Sequence, residues 1–183
     1  MSFSRQTVPP KIADLGFSID VPNGFIAPPI PDETPDFDKP TVVTPLAVFA
    51  AQIALALVTV SARPAYADGA VMDWAQYLCS ENGITLTALM PGTVGGESGG
   101  QKWGGHPAIL AEGHQTQDGT LLKMVMAFIE DGKRLVIVHA MCPDELAPSY
   151  LALLQQSVHS IALTNPRGPT APLVPGMSVP TKA

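Results

Sequence analysis

Residues 105–163 read GHPAILAEGHQTQDGTLLKMVMAFIEDGKRLVIVHAMCPDELAPSYLALLQQSVHSIAL, and the fold is decided there. Three strand-like segments follow one another, then an amphipathic helix, then a short extended piece. In the second segment Leu122, Met124, Met126 and Phe128 alternate along one face, while Val125, Ala127 and Ile129 fill the other. Asp131-Gly132 signals a hairpin turn, because glycine accepts the positive φ such a turn demands. The third segment, LVIVHA, is also apolar on both faces, which predicts a sheet covered on both sides. Pro148 suits the first turn of the following helix, and Tyr150, Leu154, Val158 and Ile161 line one side of it.

Upstream of this stretch, residues 1–15 read as a poorly constrained arm. GFSIDVPNGF then alternates as a half-buried strand, with Phe17, Ile19 and Val21 inward, and ends in a Pro22-Asn23-Gly24 turn. Residues 27–40, APPIPDETPDFDKP, are too rich in proline for a helix or a sheet interior and carry Asp32, Glu33, Asp36 and Asp38. Residues 40–62 contain no charge and are long enough to resemble a membrane span, and Ala65-Tyr66-Ala67 resembles a signal-peptide cleavage site. Pro45, Gln52 and the acidic approach favour a buried strand instead, with Ile53, Leu55 and Leu57 on one face and Ala54, Ala56, Val58 and Val60 on the other. Asp68 offers an N-cap for a helix through about Ser80, striped by Val71, Trp74, Ala75 and Leu78 and stopped by Asn82-Gly83. A short strand, ITLTALM, leads into residues 92–105, whose seven glycines predict a tightly turning connection. Downstream, residues 165–183 hold five prolines and no apolar period, the pattern of an extended tail. These signals divide the chain into an arm (1–15), one domain (16–164) and a proline-rich tail (165–183), with no internal repeat.

With 183 residues the chain can bury one sizeable core. A net charge of −6 argues against nucleic acid, which requires clustered Lys and Arg. Cys79 and Cys142 form neither a metal spacing nor a disulfide framework and read as buried free thiols.

The order of elements, with GFSIDVPNGF, GHPAILAEG, FIEDGKRLVIVHAMCP and LALLQQSVHSIAL at its landmarks, resembles the PsbP/Mog-type α/β/α sandwich superfamily, which includes DcrB-like domains. The resemblance covers about residues 15–164. It implies an α+β sandwich with a mainly antiparallel sheet flanked by helices. It also implies a non-enzymatic accessory role, since members include the extrinsic subunit of photosystem II, a Ran-binding nuclear factor and chaperones of type VI secretion effectors.

Gly96-Glu97-Ser98-Gly99-Gly100 is similar to a serine-protease nucleophile motif, but all four histidines lie downstream of Ser98. Lys102 is followed by Trp103, so no phosphate-binding loop is formed. His106, His114 and His139 would make a metal site only if neighbouring strands brought them together, and the acidic run lacks the order of a calcium loop. His139 reads as a satisfied core residue. The sequence thus predicts no catalytic residue, no cofactor and no metal, and a protein partner rather than nucleic acid or a membrane span. The partner would meet the irregular segments: Trp103 as anchor, with Pro169, Pro172, Pro175, Asp36 and Phe37. A cytoplasmic adaptor, chaperone or assembly subunit is the reading. An envelope-associated ligand-binding protein and a metal-dependent enzyme are the alternatives.

Overall fold

The computed structural model describes residues 2–10, 12–30, 36–98, 101–102 and 105–181. In chain order the elements are β1 (Phe3–Val8), β2 (Phe17–Pro22), β3 (Phe25–Ile26), β4 (Thr44–Ala51), β5 (Leu57–Pro64), α1 (Val71–Glu81), β6 (Thr85–Val94), β7 (Glu97–Ser98), β8 (Gln101–Lys102), β9 (His106–Gln117), β10 (Thr120–Glu130), β11 (Arg134–Pro143), a single 3-10 turn (Asp144–Leu146), α2 (Ala147–His159) and β12 (Ala162–Leu163). The alternation in β10 places Leu122, Met124, Met126 and Phe128 in one core layer and Val125, Ala127 and Ile129 in the other. A strand apolar on both faces must be sandwiched, and it lies inside a seven-stranded antiparallel sheet of order β3-β4-β5-β11-β10-β9-β6.

One face is covered by α2, through Leu154 and Val158, and by a second sheet, β1-β2-β12, through Phe17, Ile19, Val21 and Leu163. The other face is covered by α1, through Val71, Trp74, Ala75 and Cys79. The fold is therefore an α+β sandwich with a mainly antiparallel sheet, as the resemblance implies, and its two covered faces are those the periodicity of β10 and β11 predicts. α1 begins later than the Asp68 cap suggests. Its N-cap is Ala70, whose N–H donates to the Asp73 carboxylate at 3.0 Å, while the Asp68 carbonyl accepts the Trp74 indole N–H at 2.8 Å. Cys79 completes the buried stripe, and Leu78 is only partly covered.

The β10–β11 turn is tight. Gly132 and Lys133 both have positive φ, +61° and +68°, the conformation of a type I′ hairpin. Beside it Asp131 and Arg134 form a buried ion pair at 2.7 Å. Arg134 also donates to the carbonyl of Ala13, and Glu130 accepts hydrogen bonds from the backbone N–H of Thr170 and of Ala171 and from the Thr170 hydroxyl.

Four expectations are corrected. Residues 3–8 are a strand rather than a loose arm: β1 pairs along all of β2, and Arg5 bridges Asp20 at 3.0 Å. Residues 40–62 are not one strand but the β4–β5 hairpin, and Ile53 and Leu55 sit in its turn rather than in the core. A single strand over 44–62 would run about 60 Å, far beyond the ten residues of β11 that it pairs against. The first part of the glycine-rich segment is sheet, since β6 continues to the fully buried Val94 and β7 pairs with β8. The proline-rich tail is a strap laid on the domain. The carbonyls of Pro172 and Leu173 accept the N–H groups of Val71 and Met72 at 3.0 and 2.9 Å, and Ala171 and Leu173 pack on the α1 core layer. Those N–H groups open α1 and lack partners within the helix, so the tail supplies what a helix N-terminus needs.

Two consequences are measurable. Trp74, 5% exposed, is expected to cost about 3–5 kcal/mol on truncation to Ala, read as a shift in the urea midpoint. Deletion of residues 166–183 uncovers α1 and leaves the buried Glu130 carboxylate without its tail donors; a loss of at least about 2–3 kcal/mol is expected in the same assay.

Candidate functional site

α1 lies over β6, β9 and β10 and leaves Thr59 and Ser61 of β5 and Ile137 and His139 of β11 only partly covered. Between the helix and the open strands runs a groove with a cavity of about 330 Å³. Its floor is Met126 and Phe128 of β10, Ile137 and His139 of β11, and Thr59 and Ser61 of β5. Leu78, Cys79 and Asn82 form the helix wall. The local sequence explains the mixture. On β5 the residues facing the other core layer are Val58, Val60 and Ala62, whereas Thr59 and Ser61 alternate with them toward the groove. At the far end Asn82 ends α1: its side-chain amide donates to the Leu78 carbonyl at 2.7 Å, and Gln115 donates to the Asn82 carbonyl at 2.6 Å.

His139 lines this groove from β11. It stands directly opposite Met126 on one side and Thr59 on the other. Its Nε2 is buried and has no hydrogen-bond partner among the described residues, where the sequence reading expects a satisfied core histidine. Burial lowers its pKa to about 4, so the ring is neutral at physiological pH. Burial also pushes the neighbouring Cys79 thiol up to about 11. The Cys79 thiol points at the Met126 thioether, 3.9 Å away.

The other histidines are elsewhere. The His106 Nε2 accepts the Leu163 N–H at 3.0 Å, and burial lowers its pKa, with Asp131 pulling the other way. His114 shares a rung with Thr85 and Lys123, three residues along β9 from the rung of Ala111, Met126 and His139. That offset, with two strand spacings, separates His114 from His139 by more than about 10 Å. Among the described residues no three His, Cys, Asp or Glu side chains are grouped as metal ligands.

The sequence-derived partner residues do not form one surface. Trp103 lies outside the described residues. Pro169 and Pro172 belong to the strap and are half-buried, and Pro175 is exposed beyond it. Asp36 is exposed beside Lys39, their charged atoms 3.9 Å apart, whereas Phe37 packs on the opposite core layer from Ala171 and Leu173. A different surface emerges at the β4–β5 tip, where Ile53 is 94% and Leu55 59% exposed. Ile26, 48% exposed, pairs with Ala50 at the same end of the sheet. The turn is fixed by the Ala51 N–H to Ala56 carbonyl bond at 2.9 Å. Farther along β4 lies an apolar hollow of about 270 Å³, lined by Leu46, Phe49, Pro28 and Pro29 among others. Sequence reasoning missed this patch, because the charge-free run from Thr41 to Ala62 carries no Gly, Asn or Asp to mark its turn.

Compared with solved structures, the seven-stranded sheet with its two helices finds clear counterparts. The cyanobacterial PsbP of Synechocystis, CyanoP, matches with a TM-score of 0.56 over 88% of this chain and 92% of that one, at 13% identity. The chain has a PsbP-like fold. LpqN, involved in cell envelope biogenesis of Mycobacterium tuberculosis, matches this PsbP-like chain with a TM-score of 0.57 over 90% of it and 93% of LpqN, at 11% identity. A Bacteroides thetaiotaomicron protein matches at 0.50 and 10% identity, over 90% of this chain and 50% of its own. No family model matches the sequence, and no curated protein does. At these identities the shared property is the fold, and the groove is described from its own residues. No helix among the described residues is long and apolar enough to cross a membrane.

The neutral His139 gives the site a pH signature. The folded pKa, about 4, lies below the unfolded value of about 6.5, so the unfolded chain binds the proton first. Stability from this residue is intact above pH 6.5 and is lost as pH falls toward 4, by up to about 3 kcal/mol. Urea melts at pH 7.5 and 4.5 are expected to show a smaller drop for His139→Phe than for the parent chain.

Proposed function

We propose that this PsbP-like chain is a non-enzymatic accessory that binds a protein partner through the β4–β5 hairpin tip. The observation that carries the reading is the exposure of Ile53 and Leu55 on an ordered turn. Two branched apolar side chains held in water, at the same end of the sheet as the exposed Ile26, form a patch of the kind that marks protein interfaces. The turn is braced by the hairpin and does not need those side chains for its own packing. Among the described residues β4 pairs on its outer side only at Ala50 and Ala51, which leaves the rest of that edge to receive an extended segment. An adaptor, chaperone or assembly subunit uses such a surface. Trp103 and the exposed Pro175 are proposed as further contacts.

A second reading, an envelope-associated ligand-binding accessory, is favoured by the mixed polar and apolar groove at His139 and by the likeness to LpqN. Fractionation of the native host separates the two: recovery with the envelope supports the second reading, recovery in the cytosol the first.

The docking surface is tested by Ile53→Lys combined with Leu55→Lys, and separately by Trp103→Ala. The double variant is expected to melt within about 0.5 kcal/mol of the parent chain and to lose at least about tenfold of the partner recovered from the native host by affinity capture with quantitative mass spectrometry. Recovery at the parent level by the double variant would remove the hairpin tip from the interface.

A further inference from the structure

Two soft sulfur donors and an imidazole line one cavity on the groove side of the sheet. The Cys79 sulfur is 3.9 Å from the Met126 sulfur. Met126 and His139 are directly opposed on β10 and β11, so their Cβ atoms stand on the same face about 4.5–5.5 Å apart. The three border one cavity, and the buried Nε2 of His139 has no partner among the described residues. Each feature alone is ordinary for a core, and together they form an incomplete coordination shell.

We propose that Cys79, Met126 and His139 bind one soft monovalent metal ion, copper(I). Ligand type is the first reason, because thiolate and thioether sulfur select copper(I), and imidazole accepts it. Geometry is the second. Two metal–sulfur bonds of about 2.3 Å at about 120° place their sulfurs about 4.0 Å apart, close to the spacing found here.

Charge is the third reason. None of the residues lining the cavity carries a formal charge. A monovalent cation on one thiolate gives a neutral unit that an uncharged wall tolerates, whereas a divalent ion leaves a buried unit charge uncompensated. On loading, the Cys79 S–H bond breaks, an S–Cu bond forms and the proton leaves to solvent, with no change of oxidation state. Met124 and Met141, opposed on the same pair of strands two residues further along, extend the sulfur-rich surroundings. Leu78, Phe128 and Ile137 line the same cavity beside these donors. This site is separate from the hairpin tip and does not depend on the docking reading.

The full chain, titrated anaerobically with copper(I) in competition with bicinchoninate, is expected to hold one equivalent per chain. Copper-edge X-ray absorption is expected to show two sulfur neighbours and one nitrogen. Cys79→Ala is expected to weaken retention by at least about 100-fold and Met126→Leu by about tenfold. Met126→Leu conserves volume and keeps the melting curve, so it decides the matter even if Cys79→Ala fails to fold. Cys142→Ala, on the opposite face of the sheet, is expected to leave retention unchanged. The proposal is overturned if no copper(I) is retained, if retention survives Met126→Leu undiminished, if Cys142→Ala abolishes it, or if zinc(II) is held as tightly.

Discussion

The buried ion pair between Asp131 and Arg134 is the constraint on which the ends of this chain depend. Both side chains are almost fully enclosed, and each has more hydrogen-bonding capacity than the other can use. The surplus is met by backbone from distant segments. Arg134 reaches the carbonyls of Ala13 and Asn165, and the second Asp131 oxygen accepts the Gly168 N–H at 2.7 Å. Neighbouring Glu130 is satisfied by Lys133, Thr170 and Ala171. A buried ion is costly unless its partners are in place, so the turn draws the N-terminal segment and the tail onto the domain together. Gly132 belongs to the same arrangement, since a Cβ there would come within 2.6 Å of the Arg167 side chain.

The two faces of the central sheet are treated unequally. One is sealed by α2 and the small sheet, and its layer is built mainly of Val, Ala, Ile, Leu and Phe. The other is only partly covered, because α1 sits toward β6 and β9 and is held there by the strap at Val71 and Met72. What the helix leaves open becomes the groove, and the composition changes accordingly to Thr59, Ser61, His139 and sulfur. A fixed helix beside a partly covered half-sheet makes a lined cavity without any loop insertion. The β4–β5 tip has a different origin: it projects because the turn between two long strands extends past the end of the sheet at β3.

Much of the architecture was legible because burial imposes a period. β10 and β11 declare two covered faces, α2 declares its stripe, and Asp131-Gly132 and Asn82-Gly83 mark their turns through backbone conformations that few residues adopt. The β4–β5 hairpin was not legible. Alanine, valine and leucine continue through its turn, so nothing local distinguishes one long strand from two short ones. The candidate site was hidden for a related reason. Cys79, Met126 and His139 are far apart in the chain and each has an ordinary position in an apolar pattern; only strand register and helix placement bring them to one cavity.

The sequence by itself determined the local terms: which segments alternate, which residues face inward, where glycine and proline forbid continuation, and that the sheet must be covered twice. These follow from steric rules and solvent exclusion acting over a few residues. The tertiary structure alone decided what the charged and proline-rich segments do. Composition reads the tail as an extended arm, since it has no apolar face of its own. Its binding energy resides in backbone N–H and carbonyl groups, which every sequence carries and which therefore leave no signature. They gain value only where a buried Glu130, a buried Asp131 and the open N-terminus of α1 stand waiting for them, and that meeting exists only in three dimensions.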